Sequence, residues 1–119
     1  MKNKIKKTIC FDLDGVLCLT KGNNYLSSKP IKKNIKFVNK LNKDYEIKIF
    51  TSRFMGRNND NASKANKQGY KFTKKQLKKW NVKYSKLILG KPSYDLYIDD
   101  KNLGFSKNWV VDLKKILKL

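Results

Sequence analysis

Asp12 and Asp14 stand two positions apart at the end of an apolar run, within Ile9 to Leu17 (ICFDLDGVL), and Gly15 breaks the run directly after them. A carboxylate is costly to desolvate unless something compensates it. Two acids at a strand tip therefore point to a cation and a charged substrate. A phosphate monoester needs an in-line nucleophile, neutralisation of its equatorial oxygens and a proton for the leaving oxygen. Asp12 can attack phosphorus and form an aspartyl-phosphate. Asp14 can protonate the leaving group and then deprotonate the water that cleaves the intermediate. An Asp-Gly turn with no chemistry also accounts for the tetrapeptide, so the rest of the chain must decide.

Three further stretches carry suitable groups. Thr51 and Ser52 follow the apolar run Ile47 to Phe50, offering hydroxyls and backbone amides to phosphate oxygens. Lys91 lies in Gly90-Lys91-Pro92, flanked by residues that hold a loop shape, and can pair with both phosphate and Asp12. Asp99 and Asp100 end the run Leu96 to Ile98. Adjacent acids there call for a cation, and Mg²⁺ suits a site of few carboxylates plus water and phosphate. Of nine acidic residues, these four aspartates sit in two short apolar contexts, which marks them as specified rather than solvating. Arg53, Arg57 and Lys64 are the candidates for leaving-group contacts.

The elements that must position these groups alternate. Thr8 to Leu13 reads as a buried strand and residues 18–30 as a small hairpin or flap over its tip. Ile31, Ile35, Val38 and Leu41 give a one-sided helix. Ile47 to Phe50 is a second strand. The polar stretch 54–70 lacks periodicity and reads as a loop. Thr73 and Gln76 form a capping-box pattern for a helix ending near Asn81. Lys86 to Leu89 and Leu96 to Ile98 read as third and fourth strands, and Val110, Leu113 and Leu117 as a final helix. Alternating strands and helices predict a parallel α/β sheet, whose ligands bind beyond the strands' carboxyl ends. Every group singled out falls at such an end.

The 119 residues predict one domain. The formal charge of +20 attracts anions, phosphorylated metabolites or nucleic acid. It rests on 27 lysines and only two arginines, a usage that compositional drift on solvated faces explains equally well. Tyr25, Phe54 and Tyr70 are candidates for stacking on bases, with hydrophobic packing the simpler reading of each. No histidine is present, which excludes His-based acid–base schemes and HExxH zinc sites. Cys10 is expected in the core and Cys18 to be unreactive. The basic start lacks the apolar stretch of a signal peptide, and no run is long enough for a membrane span, so a cytoplasmic protein with no membrane partner is expected.

In order, FDLDGVL, IFTSR, GKP and YIDD resemble the four motifs of the haloacid dehalogenase-like phosphohydrolase superfamily, over residues 8–100. More narrowly, IFTSR, a polar loop with Lys64 and Asn66, and GKPSYDLYIDD look like its small capsule-biosynthesis phosphatases. The resemblance implies a three-layer Rossmann-like parallel sheet with helices on both faces. It implies Asp12 as nucleophile and metal ligand, and Asp14 as acid/base residue giving its carbonyl to Mg²⁺. Thr51, Ser52 and Lys91 would bind phosphate, Asp99 would ligate metal, and Asp100 would support it. An acid at position 14 argues against the ion-pump branch and the dehalogenases. The spacing from Leu17 to Ile47, about 30 residues already holding a loop and a helix, and the short 54–70 loop leave no room for a large cap domain, so the mouth is expected to be open, shielded by the 18–28 flap, the 54–70 loop or a neighbouring subunit. The expected activity is a Mg²⁺-dependent phosphomonoesterase acting on a sugar phosphate or similar small metabolite, with nucleotides or nucleic-acid ends as the less favoured substrate. A non-catalytic basic nucleic-acid-binding protein is the remaining reading.

Overall fold

Along Glu46 to Thr51 buried and half-buried residues alternate, Ile47, Ile49 and Thr51 pointing one way and Glu46, Lys48 and Phe50 the other. That pleat sets the plan of the molecule. The structure is a computed structural model and describes residues 6–119. In chain order it contains β1 (Thr8–Phe11), β2 (Cys18–Leu19), β3 (Lys29–Pro30), α1 (Lys32–Leu41), β4 (Glu46–Thr51), α2 (Ala62–Lys79), β5 (Lys86–Leu89) and α3 (Trp109–Leu117). The main sheet has the order β1-β4-β5 and is parallel throughout, while β2 and β3 form a small antiparallel flap.

The register aligns Ile9 with Ile47, Phe11 with Ile49, and Ile49 with Leu87. Both crossovers step the same way across the sheet, and their common hand puts α1 and α2 on one face. There Phe11, Ile47, Ile49, Leu87 and Leu89 join Ile35, Phe37, Val38, Leu41 and Leu77 in one core. Helix α3 docks on the same core through Leu113 and Trp109, whose ring lies 5.8 Å from Phe11 and 6.3 Å from Phe37. The opposite face presents Thr8, Cys10, Lys48, Phe50 and Ile88, none of which belongs to the core among the described residues. One chain thus supplies two layers, a sheet and helices on one side. A helical layer on the second face, expected from the resemblance, is not among the described residues. Cys10, expected in the core, is exposed because its side chain takes the open face.

Two further expectations change. The stretch 54–70 is not a loop throughout: α2 starts at Ala62, with the Asn61 side chain accepting a hydrogen bond from the Lys64 backbone N–H at 3.1 Å. Its buried stripe is Ala65, Gly69, Thr73 and Leu77. Three of these four are small or polar, so an apolar-periodicity search passes over them. Thr73 is therefore a buried interior residue and not a helix cap. Gly69 is where another chain segment comes close: a Cβ there would run into the Phe54 ring. The second change is at Leu96 to Ile98, which is unpaired and exposed rather than a strand. It leaves β5 at the sheet's carboxyl end with too little chain to return to the amino end. Positions 1–5 of the basic start lie outside the described residues. No described helix is long and apolar enough to cross a membrane.

Candidate active site

Strands β1, β4 and β5 all end at one rim, and the parallel sheet delivers Asp12, Thr51 and Lys91 there together. Just past β1, Gly15 takes φ +87°, in the left-handed region that favours glycine. The turn it allows is closed by Leu17 N–H to Leu13 C=O at 2.9 Å and Gly15 N–H to Cys18 C=O at 2.7 Å. It sends Asp14 away from Asp12 and toward the flap. Past β5, Gly90 takes φ +110°, turning the chain so that the largely buried Lys91 faces the acids.

The Lys91 ammonium lies 3.7 Å from Asp12 Oδ2, and the Leu13 N–H donates to Asp12 Oδ1 at 2.7 Å. Burial pushes the Asp12 carboxyl up, against the pull of Lys91 and the Leu13 N–H. Burial opposes the charge on Lys91, yet Tyr94 and Asp12 together hold its ammonium above the ordinary lysine range. The Lys91 ammonium also sits 5.2 and 5.1 Å from the ring centroids of Tyr94 and Tyr97. Thr51 is buried at the end of β4, its hydroxyl accepting from the Arg53 backbone N–H at 3.1 Å. Ser52 is half-buried beside it.

Asp14 is held by a different group. The Arg53 guanidinium grips it in bidentate fashion, Nε to Oδ2 and Nη2 to Oδ1, both 2.9 Å. The Thr20 hydroxyl donates to Asp14 Oδ1 at 2.6 Å. Burial raises this carboxyl, but the hydrogen bonds and charge of Arg53, with Thr20 and Cys18 behind them, outweigh it and hold Asp14 below the usual carboxylate range. The neighbouring Cys18 thiol is pushed up to about 11, chiefly by burial and then by the Asp14 charge. It stays protonated, as an inert thiol should.

Arg53 is 1% exposed, so it cannot reach a leaving group. The expectation of a substrate contact is replaced by a structural tie. Besides Asp14 it donates to Gln76 Oε1 at 2.6 Å and Ser28 Oγ at 3.4 Å, and it stacks over the Tyr25 ring at 4.7 Å. Gln76 in turn donates to the Tyr25 carbonyl at 2.7 Å. The flap, the loop after β4 and α2 therefore meet on one buried guanidinium. Thr20, Ser28 and Gln76 complete this ring, and sequence reading missed all three. Only Gln76 had a signal, which a capping-box interpretation absorbed.

Arg57 remains at the exposed rim, over Phe54 at 4.6 Å, over Tyr25 at 5.7 Å, and donating to the Asn23 carbonyl at 3.4 Å. Tyr25 and Phe54 pack against each other with centroids 5.0 Å apart. Lys64 lies exposed on the first turn of α2. Asp99 and Asp100 are exposed, Asp99 accepting the Lys101 N–H at 3.0 Å. Among the described residues no three Asp, Glu or Cys side chains gather where they could hold a metal ion. The Asp14 carboxylate is tied to Arg53, while its backbone carbonyl, the ligand expected of it, lies outside that tie. With Asp12, Asp99 and Asp100 gathering in no such group, the acid side chains of a single chain do not by themselves fit the expected magnesium.

No family model matches this chain, and no curated protein does. Among solved structures it is similar to a structural-genomics target from Vibrio cholerae at 26% identity and a TM-score of 0.75. The match covers 93% of this chain and 98% of that one.

Proposed function

We propose that this protein is a phosphomonoesterase that works through an aspartyl-phosphate on Asp12, with a sugar phosphate or similarly small metabolite as substrate. The observation that carries this reading is the Asp12–Lys91 pair at 3.7 Å, on the rim where Thr51 also ends its strand. A nucleophilic carboxylate and an anionic phosphate repel each other, and a lysine facing both lowers that cost. An Asp12 oxygen attacks phosphorus as the P–O bond to the leaving group breaks. Water then attacks the acyl phosphate, releasing phosphate and restoring the carboxylate.

Asp14 is held ionised by Arg53, the form that accepts a proton from attacking water. To donate one first, it must loosen from the guanidinium. No step is assigned to magnesium here, since one chain's acids do not gather for it. The superfamily resemblance supports the reaction class and the small phosphorylated substrate.

Purified protein with Mg²⁺ should release phosphate from a panel of sugar phosphates, nucleotides and p-nitrophenyl phosphate. Asp12→Asn should lower the rate by on the order of 10³-fold or more while leaving the fold intact. No release from any member of the panel would overturn the proposal.

A further inference from the structure

Between β5 and α3 runs an arm, 92–108, that its own fold uses little, Leu103 being its hydrophobic contact with the core. Within it Leu96, Ile98 and Phe105 are 78%, 87% and 67% exposed. Residues 94–98 make no backbone-to-backbone hydrogen bond among the described residues. On the sheet, β1 is an edge strand among the described residues, and within them the outward half of its backbone groups is equally unpaired. Parallel sheets are normally covered on both faces, yet Cys10, Phe50 and Ile88 lie on an uncovered one. Water can serve these exposed groups, but an apolar unpaired stretch and an open sheet edge in one molecule are the two halves of a strand addition.

They cannot pair with each other in the same sense as the other strands. To lie parallel beside β1 with Ile98 level with Phe11, Leu96 must sit level with Ile9. The ladder register puts Lys91 about six residues higher and three strand spacings away, a separation of roughly 24 Å. The five residues from Lys91 to Leu96 span at most about 18 Å. In its own chain the arm therefore only crosses the carboxyl end of the sheet. Tyr94 and Tyr97 rest against the Lys91 ammonium, and the Asp99 charge is felt at Cys10. By then Leu96 to Ile98 are already passed, and the chain that follows leads by Leu103 on the core to α3.

A second copy removes the obstacle. A two-fold axis reverses strand direction, so an arm leaving the top of its own sheet enters at the bottom of its partner's. We propose that two copies of this chain exchange arms. Leu96 to Ile98 of each adds to the β1 edge of the other, Leu96 beside Ile9, Tyr97 beside Cys10 and Ile98 beside Phe11. Asp99 of one copy then lies next to Asp12 of the other.

Charge agrees. Asp95, Asp99 and Asp100 put three of the nine acids in one short stretch of a +20 chain, and Lys6, Lys7, Lys48 and Lys91 surround the receiving edge. The pairing would gather the carboxylates that a single chain leaves apart. It rests on the phosphatase reading only for what the completed site does.

The test uses the full chain. Sedimentation should give twice the 14.0 kDa chain mass, and a monomer at micromolar concentration would overturn the proposal. Oxidation of a Tyr97→Cys variant with diamide, which takes up the two thiol hydrogens, should yield a disulfide-linked dimer that Cys10→Ser abolishes. Neighbouring parallel residues fall within disulfide range. An intrachain disulfide, no disulfide, or a dimer that survives Cys10→Ser overturns the register. Co-expressed Asp12→Asn and Asp99→Asn chains, each inactive alone, should regain about a quarter of parental phosphatase activity, through heterodimers with one intact site. If the parent is active and the mixture is not, the shared site is wrong. If the parent itself releases no phosphate, the phosphatase reading fails and the disulfide result still decides the exchange.

Discussion

Replacing Arg53 by methionine tests the centre of this architecture. The guanidinium is fully buried, and its partner Asp14 has a side chain 27% exposed. Removing it strands a mostly buried carboxylate and also leaves Gln76 Oε1 without its donor. Breaking a buried pair from one side costs about 3–5 kcal/mol. For a chain of this size that corresponds to a fall in Tm of roughly 10–20 °C. The pH dependence follows from the sign of the Asp14 shift. In the parent, its folded pKa lies below the unfolded value of about 3.9, so the pair's contribution is present above that pH and lost as pH falls through the folded value. In Arg53→Met, burial is opposed by Thr20 and Cys18 but no longer by the guanidinium, and the Asp14 pKa rises from its parental position. The variant's extra instability is then full at pH 7 and relieved as acidification neutralises the carboxyl. Urea denaturation of parent and variant at pH 7.5 and 4.5 measures both quantities. Adding Asp14→Asn to Arg53→Met should recover much of the loss at pH 7.5. A destabilisation under about 1 kcal/mol, or one equal at both pH values, would refute the reasoning.

Lys91→Met should lower kcat/KM for phosphate esters by about 10²–10³-fold, the usual effect of removing one preorganised charge donor. Because its ammonium is held above the ordinary lysine pKa, parental activity should show no loss from Lys91 deprotonation between pH 6 and 9 in a pH–rate profile. Gly69→Ala should destabilise the protein by about 1–3 kcal/mol as the new methyl meets the Phe54 ring. In a Phe54→Ala background the same change should stabilise it by up to about 1 kcal/mol, through helix propensity alone. Chemical denaturation of the four proteins reads the reversal, and no change of sign would count against the Phe54–Gly69 contact.

The amino-acid sequence determined the strands and the rim. Local chemistry is enough for that: alternating Ile47 and Ile49, the turn glycines at 15 and 90, and polar groups following each apolar run can be read one segment at a time. The parallel arrangement then follows from alternation, and with it the meeting of Asp12, Thr51 and Lys91 at one edge. Helix α2 was half legible, because its buried stripe of Ala65, Gly69 and Thr73 is small or polar, with Gly69 admitting the Phe54 ring, and an apolar count cannot register the absence of side chains. The role of Arg53 was not legible. Whether an arginine two residues past a strand faces solvent or a buried aspartate depends on where the flap and α2 bring Ser28 and Gln76, which lie 25 and 23 residues away in sequence. The fourth strand failed for a related reason. Leu96 to Ile98 has a strand's composition, but pairing also requires a reachable edge. Reach is set by the order β1-β4-β5 and by five residues of chain, quantities that exist only once the sheet is assembled.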